Sequence, residues 1–207
     1  MTRPLVKICG LRDAEALDAA READFVGFVF YPASPRALSP EQAIALAAVA
    51  PAGPKRVGLF VDAPDALIAA ALPALDVLQL HGEESPSRVA EIRSLFGKPV
   101  MKAIGIGSEA DLCSIADYAL VSDCLLLDAK PAALPGGNGT RFDWSLPRRV
   151  AIPRPWLLAG GLDPANVAAA LAESGAPGVD VSSGVEASRG VKDPALVSAF
   201  VKAARGG

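Results

Sequence analysis

Short apolar segments recur along the chain and have the composition of buried β-strands. Each is five to seven residues long, rich in Val, Ile, Leu or Phe, and lacks the strict alternation of a strand with one face in water. We predict eight strands: LVKIC (5–9), FVGFVF (25–30), RVGLFV (56–61), VLQLH (77–81), PVMKAI (99–104), CLLLDA (124–129), PWLLAGG (155–161) and GVDVSSG (178–184). Near-continuous apolar strands are typical of a parallel sheet that is covered on both faces.

The spacing of these segments leaves room for one helix after each strand. Their starts lie roughly 20 to 30 residues apart, which is too long for hairpin turns and long enough for a crossover helix. Four of the intervening segments contain a capping residue followed by proline, a pair favoured where a helix begins. These pairs are Ser39-Pro40, Ser85-Pro86, Asp163-Pro164 and Asp193-Pro194. Eight consecutive strand–helix units without a linker predict one α/β domain over 1–207, a parallel eight-stranded (β/α)8 TIM barrel.

Composition and charge narrow the type of partner. The formal net charge is -3, and no run of Lys or Arg offers a basic surface to nucleic acid or to an anionic membrane. No apolar stretch approaches the ~18 residues of a membrane span, and no apolar secretory segment follows the N-terminus. The three cysteines form neither a CxxC pair nor a zinc-type spacing, which favours free thiols in a reducing compartment. We therefore expect a cytoplasmic protein whose partner is a small molecule, with no nucleic acid and no membrane.

In a TIM barrel, catalytic groups lie at the C-terminal ends of the strands and in the loops that follow. Polar residues at these positions are Cys9, Arg36, Gln79, His81, Lys102, Asp128, Asp180, Ser182 and Ser183. Cys9 ends the first strand directly before Gly10, and Lys7 lies two residues earlier on the same face. A nearby ammonium group lowers the pKa of a thiol, so Cys9 is a candidate base. Cys113 and Cys124 are more simply explained as packing residues.

Asp128 ends the most apolar strand, CLLLDA, and is the candidate acid. A carboxyl group among leucine side chains favours the protonated form, which can donate a proton. The alternative is a structural carboxylate that caps the next element or pairs with Lys130. A thiolate and a carboxylic acid together suit proton transfer on a sugar, because one group removes a carbon-bound proton while the other protonates an oxygen.

The last two strand ends carry small residues that suit a phosphate site. Gly160 and Gly161 end the seventh strand, before a helix that we expect to begin at Asp163. The loop after the eighth strand contributes Ser182, Ser183 and Gly184. These two loops commonly bind phosphate in such barrels, through backbone N–H groups and a helix N-terminus. Glycines at strand ends are also ordinary turn residues, so the prediction depends on both loops together.

Seven motifs in chain order carry a family resemblance: VKICGLR, SPRALSPEQA, QLHG, LLLDAK, GGNGTRFDW, LAGGLDPANV and GVDVSSGVE. Together they resemble the phosphoribosylanthranilate isomerase family of tryptophan biosynthesis, over nearly the whole chain. The resemblance implies an enzyme that performs an Amadori rearrangement, an isomerisation of the aldose–ketose type. Its substrate would be N-(5-phosphoribosyl)anthranilate and its product 1-(2-carboxyphenylamino)-1-deoxyribulose 5-phosphate. Neither a metal nor another cofactor is implied.

The resemblance also implies roles for individual residues. Asp128 would protonate the furanose ring oxygen, and Cys9 would then remove the C2 proton. Arg36 matches the position that meets the anthranilate carboxylate, a task suited to a planar guanidinium. Asp180 matches a position near the amine and the sugar hydroxyls. Our own inference from the first strand adds Lys7 as a residue of the substrate site that keeps Cys9 ionised.

The remaining polar residues at the strand ends complete the expected site. Gln79 and His81 are expected beside the substrate, and His81 has a supporting role although an imidazole would also suit a base. The phosphate is expected at Gly160, Gly161, Ser182, Ser183 and Gly184. The glycine-rich segment 130–144 is long for a loop in such a barrel, so it is either a lid over the site or a surface loop ending in a short helix.

Two other classes of function stay open at this point. A metal-dependent sugar-phosphate epimerase would share the phosphate loops but needs several His and carboxylate ligands, and the chain has a single His. A non-catalytic phosphate-binding barrel would have no need of Cys9 and Asp128. The sequence is compatible with a monomer or a homodimer, and with acceptance of a related histidine-pathway substrate.

Overall fold

Eight parallel strands form a closed barrel in the computed structural model, which describes residues 3–50, 52–130 and 143–206. Each strand pairs with its neighbours in chain order, and the last pairs with the first. The strands are β1 (Leu5–Cys9), β2 (Phe25–Val29), β3 (Lys55–Phe60), β4 (Val77–Leu80), β5 (Val100–Ile106), β6 (Cys124–Ala129), β7 (Trp156–Leu158) and β8 (Gly178–Val181). The predicted TIM barrel is confirmed, although β7 and β8 each end three residues before the predicted position.

Seven α-helices surround the barrel in the described part of the chain. They are α1 (Ala14–Ala19), α2 (Pro40–Val49), α3 (Asp65–Ala71), α4 (Pro86–Phe96), α5 (Ser114–Val121), α6 (Val167–Ser174) and α7 (Pro194–Ala204). The predicted starts at Ser39, Ser85 and Asp193 are confirmed, because each side chain accepts a backbone N–H of the first turn. The described part of the sixth connection holds a 3-10 helix, Leu146–Arg149, where an eighth α-helix was expected. None of the described helices has both the length and the apolar character needed to cross a membrane.

The helix after β7 begins later than predicted. The Asp163 carboxylate accepts the backbone N–H of Asn166, and the Asn166 side chain accepts the N–H of Asp163 and donates to the Gly161 carbonyl. These bonds form a turn that contains Pro164, and α6 starts only at Val167. The expected helix start at Asp163 is wrong because an Asp before proline also initiates hydrogen-bonded turns.

Two apolar layers position the strands. One lies between the strands and the helices; the other fills the barrel interior and contains Val57, Val77, Met101, Leu126, Leu157 and Ala159. Alternate residues of a strand share a face, so the strands that fill the lower interior also direct polar side chains inward near their C-terminal ends. Gln79 follows Val77 in this way, and Asp128 follows Leu126.

A small antiparallel hairpin that the sequence did not predict lies between β8 and α7. Its strands are β9 (Glu186–Ser188) and β10 (Val191–Lys192), which are too short to carry a recognisable hydrophobic period. Gly190 lies in its turn with φ 84°, and a Cβ there would be 2.9 Å from the Pro35 carbonyl oxygen. The hairpin therefore packs closely against the loop after β2.

Candidate active site

Three side chains of β1 and β8 meet inside the barrel. The Lys7 ammonium donates a 3.0 Å hydrogen bond to the Asp180 carboxylate, and both side chains are buried. Burial acts to lower the pKa of Lys7, but the Asp180 carboxylate and the Cys9 sulfur together outweigh it, and the pKa of Lys7 is raised. Cys9 follows on the same face, and its carbonyl accepts the Ser182 hydroxyl at 3.1 Å. The last strand and the residue that follows it thus supply partners for two residues of the first strand.

Two opposing effects act on the ionisation of Cys9. The residue is only 4% exposed, and burial raises the pKa of its thiol more than the Lys7 ammonium lowers it. Lys7 donates a hydrogen bond to Asp180 and also interacts with Cys9, whose pKa it acts to lower. That Lys7 keeps Cys9 ionised therefore stays a prediction, against which the burial of the thiol acts.

A second group forms at the ends of β4 and β6. His81 Nε2 lies 3.4 Å from Asp128 Oδ2, and the Gln79 amide nitrogen lies 2.9 Å from His81 Nδ1. With the Gln79 amide in this orientation Nδ1 accepts, and the Gln79 Oε1 is buried without a partner; the flipped amide would accept from Nδ1 instead. The other Asp128 oxygen accepts the Ala129 N–H at 2.8 Å. His81 and Asp128 are each 31% exposed, so both are accessible to a substrate.

Two other lysines near the strand ends have structural partners. Lys130, which the sequence offered as a partner for the candidate acid, forms an ion pair with Asp111 instead. Lys102 points away from the barrel interior, donates to Glu84 at 2.8 Å and lies over the ring of Tyr118. Lys102 therefore stabilises the loop after β4, and it also borders a cavity of about 480 Å³ that His81 and Asp128 line.

The hairpin β9–β10 holds Arg36. Arg36 Nε and Nη2 donate to the two carboxylate oxygens of Glu186 at 2.6 and 2.8 Å. Glu186 also accepts from Lys192 Nζ at 2.9 Å and from the Gly190 N–H at 3.1 Å. Burial acts to raise the pKa of Glu186, but the hydrogen bonds from Arg36 and Lys192 outweigh it and lower the pKa to about 2. Glu186 is therefore a firmly ionised partner of two cations.

Sequence reasoning missed Glu186 and Lys192. The pair between Arg36 and Glu186 joins residues 150 positions apart, which no local pattern reports. One signal was available in the motif GVDVSSGVE, whose acidic residue follows the phosphate loop directly. An arginine expected to bind a carboxylate at a barrel rim needs such a partner to fix its geometry.

The predicted phosphate loops line one hollow of about 140 Å³. Its lining comes from the ends of β6, β7 and β8: Asp128, Ala159, Gly160, Gly161, Leu162, Asp180, Val181, Ser182 and Ser183. The glycine pair and the serines therefore lie beside both candidate carboxylates. Gly184 is not one of these lining residues and packs against the loop after β7, where an added Cβ would be 1.9 Å from the Leu162 carbonyl oxygen. Only glycine lets the two loops approach this closely.

Two further expectations from the sequence concern a lid over the site and the possibility of a metal site. Most of the expected lid, residues 131–142, lies outside the described residues. Within the described ranges, no group of three or more His, Cys, Asp and Glu side chains has an arrangement that could hold a metal ion.

The candidate acid and the candidate base lie at the same end of the barrel as the two small-residue loops. Asp128 and Asp180 share the hollow, and Cys9 is linked to it through Ser182. Arg36 places a cation at the end of β1, because its side chain packs over Gly10, where a Cβ would be 2.5 Å from Arg36 Cδ. Such a site can bind a substrate with two anionic ends and move protons between them.

Comparison with known proteins identifies the family of the chain. The family model described as N-(5'-phosphoribosyl)anthranilate (PRA) isomerase matches residues 6–203. A curated protein of that name from Rhodospirillum rubrum is 56% identical, with 100% of both chains covered.

Solved structures agree as well. The structure of phosphoribosyl anthranilate isomerase in complex with reduced 1-(o-carboxyphenylamino)-1-deoxyribulose 5-phosphate has a TM-score of 0.84 and 37% identity, covering 98% of this chain and 99% of the other. Monomers generated from the dimeric isomerase of Thermotoga maritima give a TM-score of 0.83 and 38% identity, with 98% and 99% covered. The chain belongs to the N-(5'-phosphoribosyl)anthranilate isomerase family.

Proposed function

We propose that the protein catalyses the Amadori rearrangement of N-(5-phosphoribosyl)anthranilate to 1-(2-carboxyphenylamino)-1-deoxyribulose 5-phosphate, a step of tryptophan biosynthesis. The observation that carries this proposal is the hollow in which a candidate acid, a second carboxylate and two small-residue loops meet. A sugar phosphate needs a site for its dianion close to the groups that act on the sugar. Family membership over residues 6–203 supports the same reaction.

In the first step, Asp128 gives a proton to the furanose ring oxygen. The bond between C1 and this oxygen breaks, and the lone pair of the anthranilate nitrogen forms a C1–N double bond. Asp128 is suited to the task because it is partly exposed at the wall of the hollow, with His81 Nε2 3.4 Å from its Oδ2. His81 and Gln79 act as supporting residues that orient this carboxyl group.

In the second step, Cys9 removes the proton from C2. The released electron pair forms the C1–C2 double bond and neutralises the iminium nitrogen, which gives an enolamine. A proton then moves from the C2 hydroxyl to C1 in net terms, and C2 becomes the ketone. Because the pKa of Cys9 is raised, only a small ionised fraction serves as base at neutral pH. Asp180 lies near this thiol and contacts the substrate near the amine and the sugar hydroxyls, and the buried Lys7 holds this carboxylate through their 3.0 Å ion pair.

The two anionic ends of the substrate bind on opposite sides of the reacting carbons. Arg36 receives the anthranilate carboxylate. The phosphate binds at the loops after β7 and β8, at Gly160, Gly161, Ser182, Ser183 and Gly184. Both assignments follow from the charge and the small side chains at these positions.

Further properties of the protein are proposed on the same basis. We propose one barrel domain over 1–207 that acts in the cytoplasm on a small phosphorylated molecule, without a cofactor and without nucleic acid. The protein is a monomer or a homodimer, and a related isomerase is described as dimeric.

Purified protein supplied with fresh phosphoribosylanthranilate tests the reaction through the loss of anthranilate-type fluorescence. We expect turnover in the wild type and a loss of at least ~10²-fold in Cys9→Ala and in Asp128→Asn, because a positioned acid or base contributes about 10²–10⁴-fold. The double variant should lose less than the product of the two single effects, since both groups act on one reaction.

Matched controls come from the other two thiols. Cys124 is partly buried at the start of β6, at the far end of the strand from Asp128, so Cys124→Ala is the matched control and should turn over almost normally. Cys113 is exposed and borders a cavity of about 480 Å³ that His81 and Asp128 also line, so near-normal turnover of Cys113→Ala would show that this thiol serves only packing. A wild type that leaves this substrate unchanged would contradict the proposed function. Normal turnover by Cys9→Ala would refute the assignment of the base.

A further inference from the structure

Arg36 presents only part of its guanidinium to a substrate. Its side edge, formed by Nε and Nη2, is already bonded to both oxygens of Glu186 at 2.6 and 2.8 Å. A guanidinium has five N–H groups, and this contact uses two of them. The end edge, formed by Nη1 and the second N–H of Nη2, is the part that can still bind a second carboxylate with two parallel hydrogen bonds.

Glu186 is built to hold this geometry. Its side chain is 5% exposed, whereas that of Arg36 is 20% exposed. Lys192 Nζ binds Glu186 at 2.9 Å and the Ser182 carbonyl at 2.8 Å, so the carboxylate is fixed from the protein side. A charge held this firmly restricts the arginine to one orientation, while its stem is confined over Gly10.

Arg36, Lys192 and Glu186 together carry a net positive charge that a ligand can neutralise. Arg36 and Lys192 are cationic and Glu186 is anionic, which leaves one positive charge when no substrate is bound. Lys192 is almost fully buried and is committed to Glu186 and Ser182. A single ligand carboxylate at the partly exposed end edge of Arg36 would therefore neutralise the remaining positive charge.

We propose that Glu186 is a positioning residue for specificity: it fixes Arg36 so that the end edge of the guanidinium selects substrates with a carboxylate on the aromatic ring. This inference rests on the proposed function and deepens it, because it assigns the selection of the anthranilate carboxylate to a residue that does not contact the substrate. Glu186 acts only through Arg36.

The test compares two substrates, phosphoribosylanthranilate and the carboxylate-free N-(5-phosphoribosyl)aniline, the latter measured as substrate or as competitive inhibitor. In Glu186→Gln we expect KM for the first to rise about tenfold, the effect of losing one charge-assisted hydrogen bond. The KM or the inhibition constant of the aniline compound should change less than twofold. A purely structural defect would weaken both compounds alike, and the loss of a negative charge alone would tighten both.

Two variants make the experiment specific. In an Arg36→Met background, Glu186→Gln should have no further effect on KM for phosphoribosylanthranilate, because the group through which it acts is gone. Glu22→Gln is the matched control, since Glu22 is exposed in the turn before β2 at the opposite end of the barrel.

The outcomes separate the two hypotheses. An inactive wild type would overturn the proposed function itself. An active wild type with an unchanged preference for the carboxylated substrate in Glu186→Gln would overturn the role of Glu186 alone. If Glu186→Gln raised KM for phosphoribosylanthranilate equally in the wild type and in the Arg36→Met variant, the role of Glu186 would also be overturned. Glu186 would then act by a route other than Arg36. If Glu186→Gln fails to fold, Glu186→Asp supplies the test: its shorter side chain keeps the charge but cannot make both bonds, and the same loss of preference is expected.

Discussion

Replacement of Gly184 by alanine should separate the two loops that form the hollow. An added Cβ would lie 1.9 Å from the Leu162 carbonyl oxygen, 2.9 Å from its carbonyl carbon and 3.2 Å from Asp163 Cα. Non-bonded carbon atoms prefer roughly 3.5–4 Å, so the loops must move apart by roughly 1–1.5 Å. All three contacts are with backbone atoms, which cannot rotate away as a flexible side chain would.

The cost follows from this displacement. Overpacking of a folded core costs typically about 1–3 kcal/mol, and we expect about 2–3 kcal/mol here because backbone must shift. For a chain of this size the melting temperature should fall by roughly 4–12 °C. Misplacement of a bound group by about 1 Å lowers catalysis by up to ~10²-fold, so kcat/KM should fall towards that extent and inorganic phosphate should inhibit less strongly.

Thermal unfolding and the inhibition constant of inorganic phosphate measure the two effects separately. Gly97→Ala is the control: Gly97 ends α4 with φ 61°, and nothing lies within 4 Å of an added Cβ. This variant should lose about 1 kcal/mol from backbone strain and keep the phosphate inhibition of the wild type. A Gly184→Ala protein with unchanged melting temperature and unchanged phosphate inhibition would refute the reasoning.

Two further predictions concern buried ionisable groups. Because the pKa of Cys9 is raised, its alkylation by iodoacetamide should be slow at pH 7 and still increase above pH 9, where a reference cysteine peptide with a pKa of about 8.5 levels off. Mass spectrometry should find the exposed Cys113 labelled first, and faster labelling of Cys9 at pH 7 would contradict the raised pKa. Lys102→Met leaves the buried Glu84 without its cation, so urea unfolding should show a loss of about 3–5 kcal/mol. A loss below about 1 kcal/mol would mean that Glu84 is adequately held by backbone N–H groups alone.

The sequence predicted those parts of the fold that depend on local patterns. Strand positions follow from apolar runs, and the starts of α2, α4 and α7 follow from a capping residue before proline. The same local signal failed at Asp163, where the side chain forms a turn with Asn166 and the helix begins three residues further on than its expected first position, Pro164. A capping side chain satisfies a backbone N–H in either structure, so the residue types alone do not distinguish them.

The site required information that no single segment carries. Position at a strand end identified Cys9 and Asp128 as candidates, but the pKa of Cys9 depends on how deeply the folded barrel buries it. The orientation of Lys102 depends on strand parity relative to the interior, and a residue that looked available is committed to Glu84. Glu186 was missed because its partner lies 150 residues earlier.

The ion pair between β1 and β8 also affects how the barrel can assemble. Lys7 is fully buried, and its partner Asp180 lies 173 residues later in the chain. During synthesis the first strand therefore carries a cation that has no counter-ion until the last strand emerges, and burying an unpaired charge costs several kcal/mol. A nascent chain that stops before residue 180 cannot seal its first strand into an apolar interior without that penalty. Premature closure of a partial barrel is thereby disfavoured, and correct completion is coupled to the arrival of the strand that leads into the second of the two proposed phosphate loops.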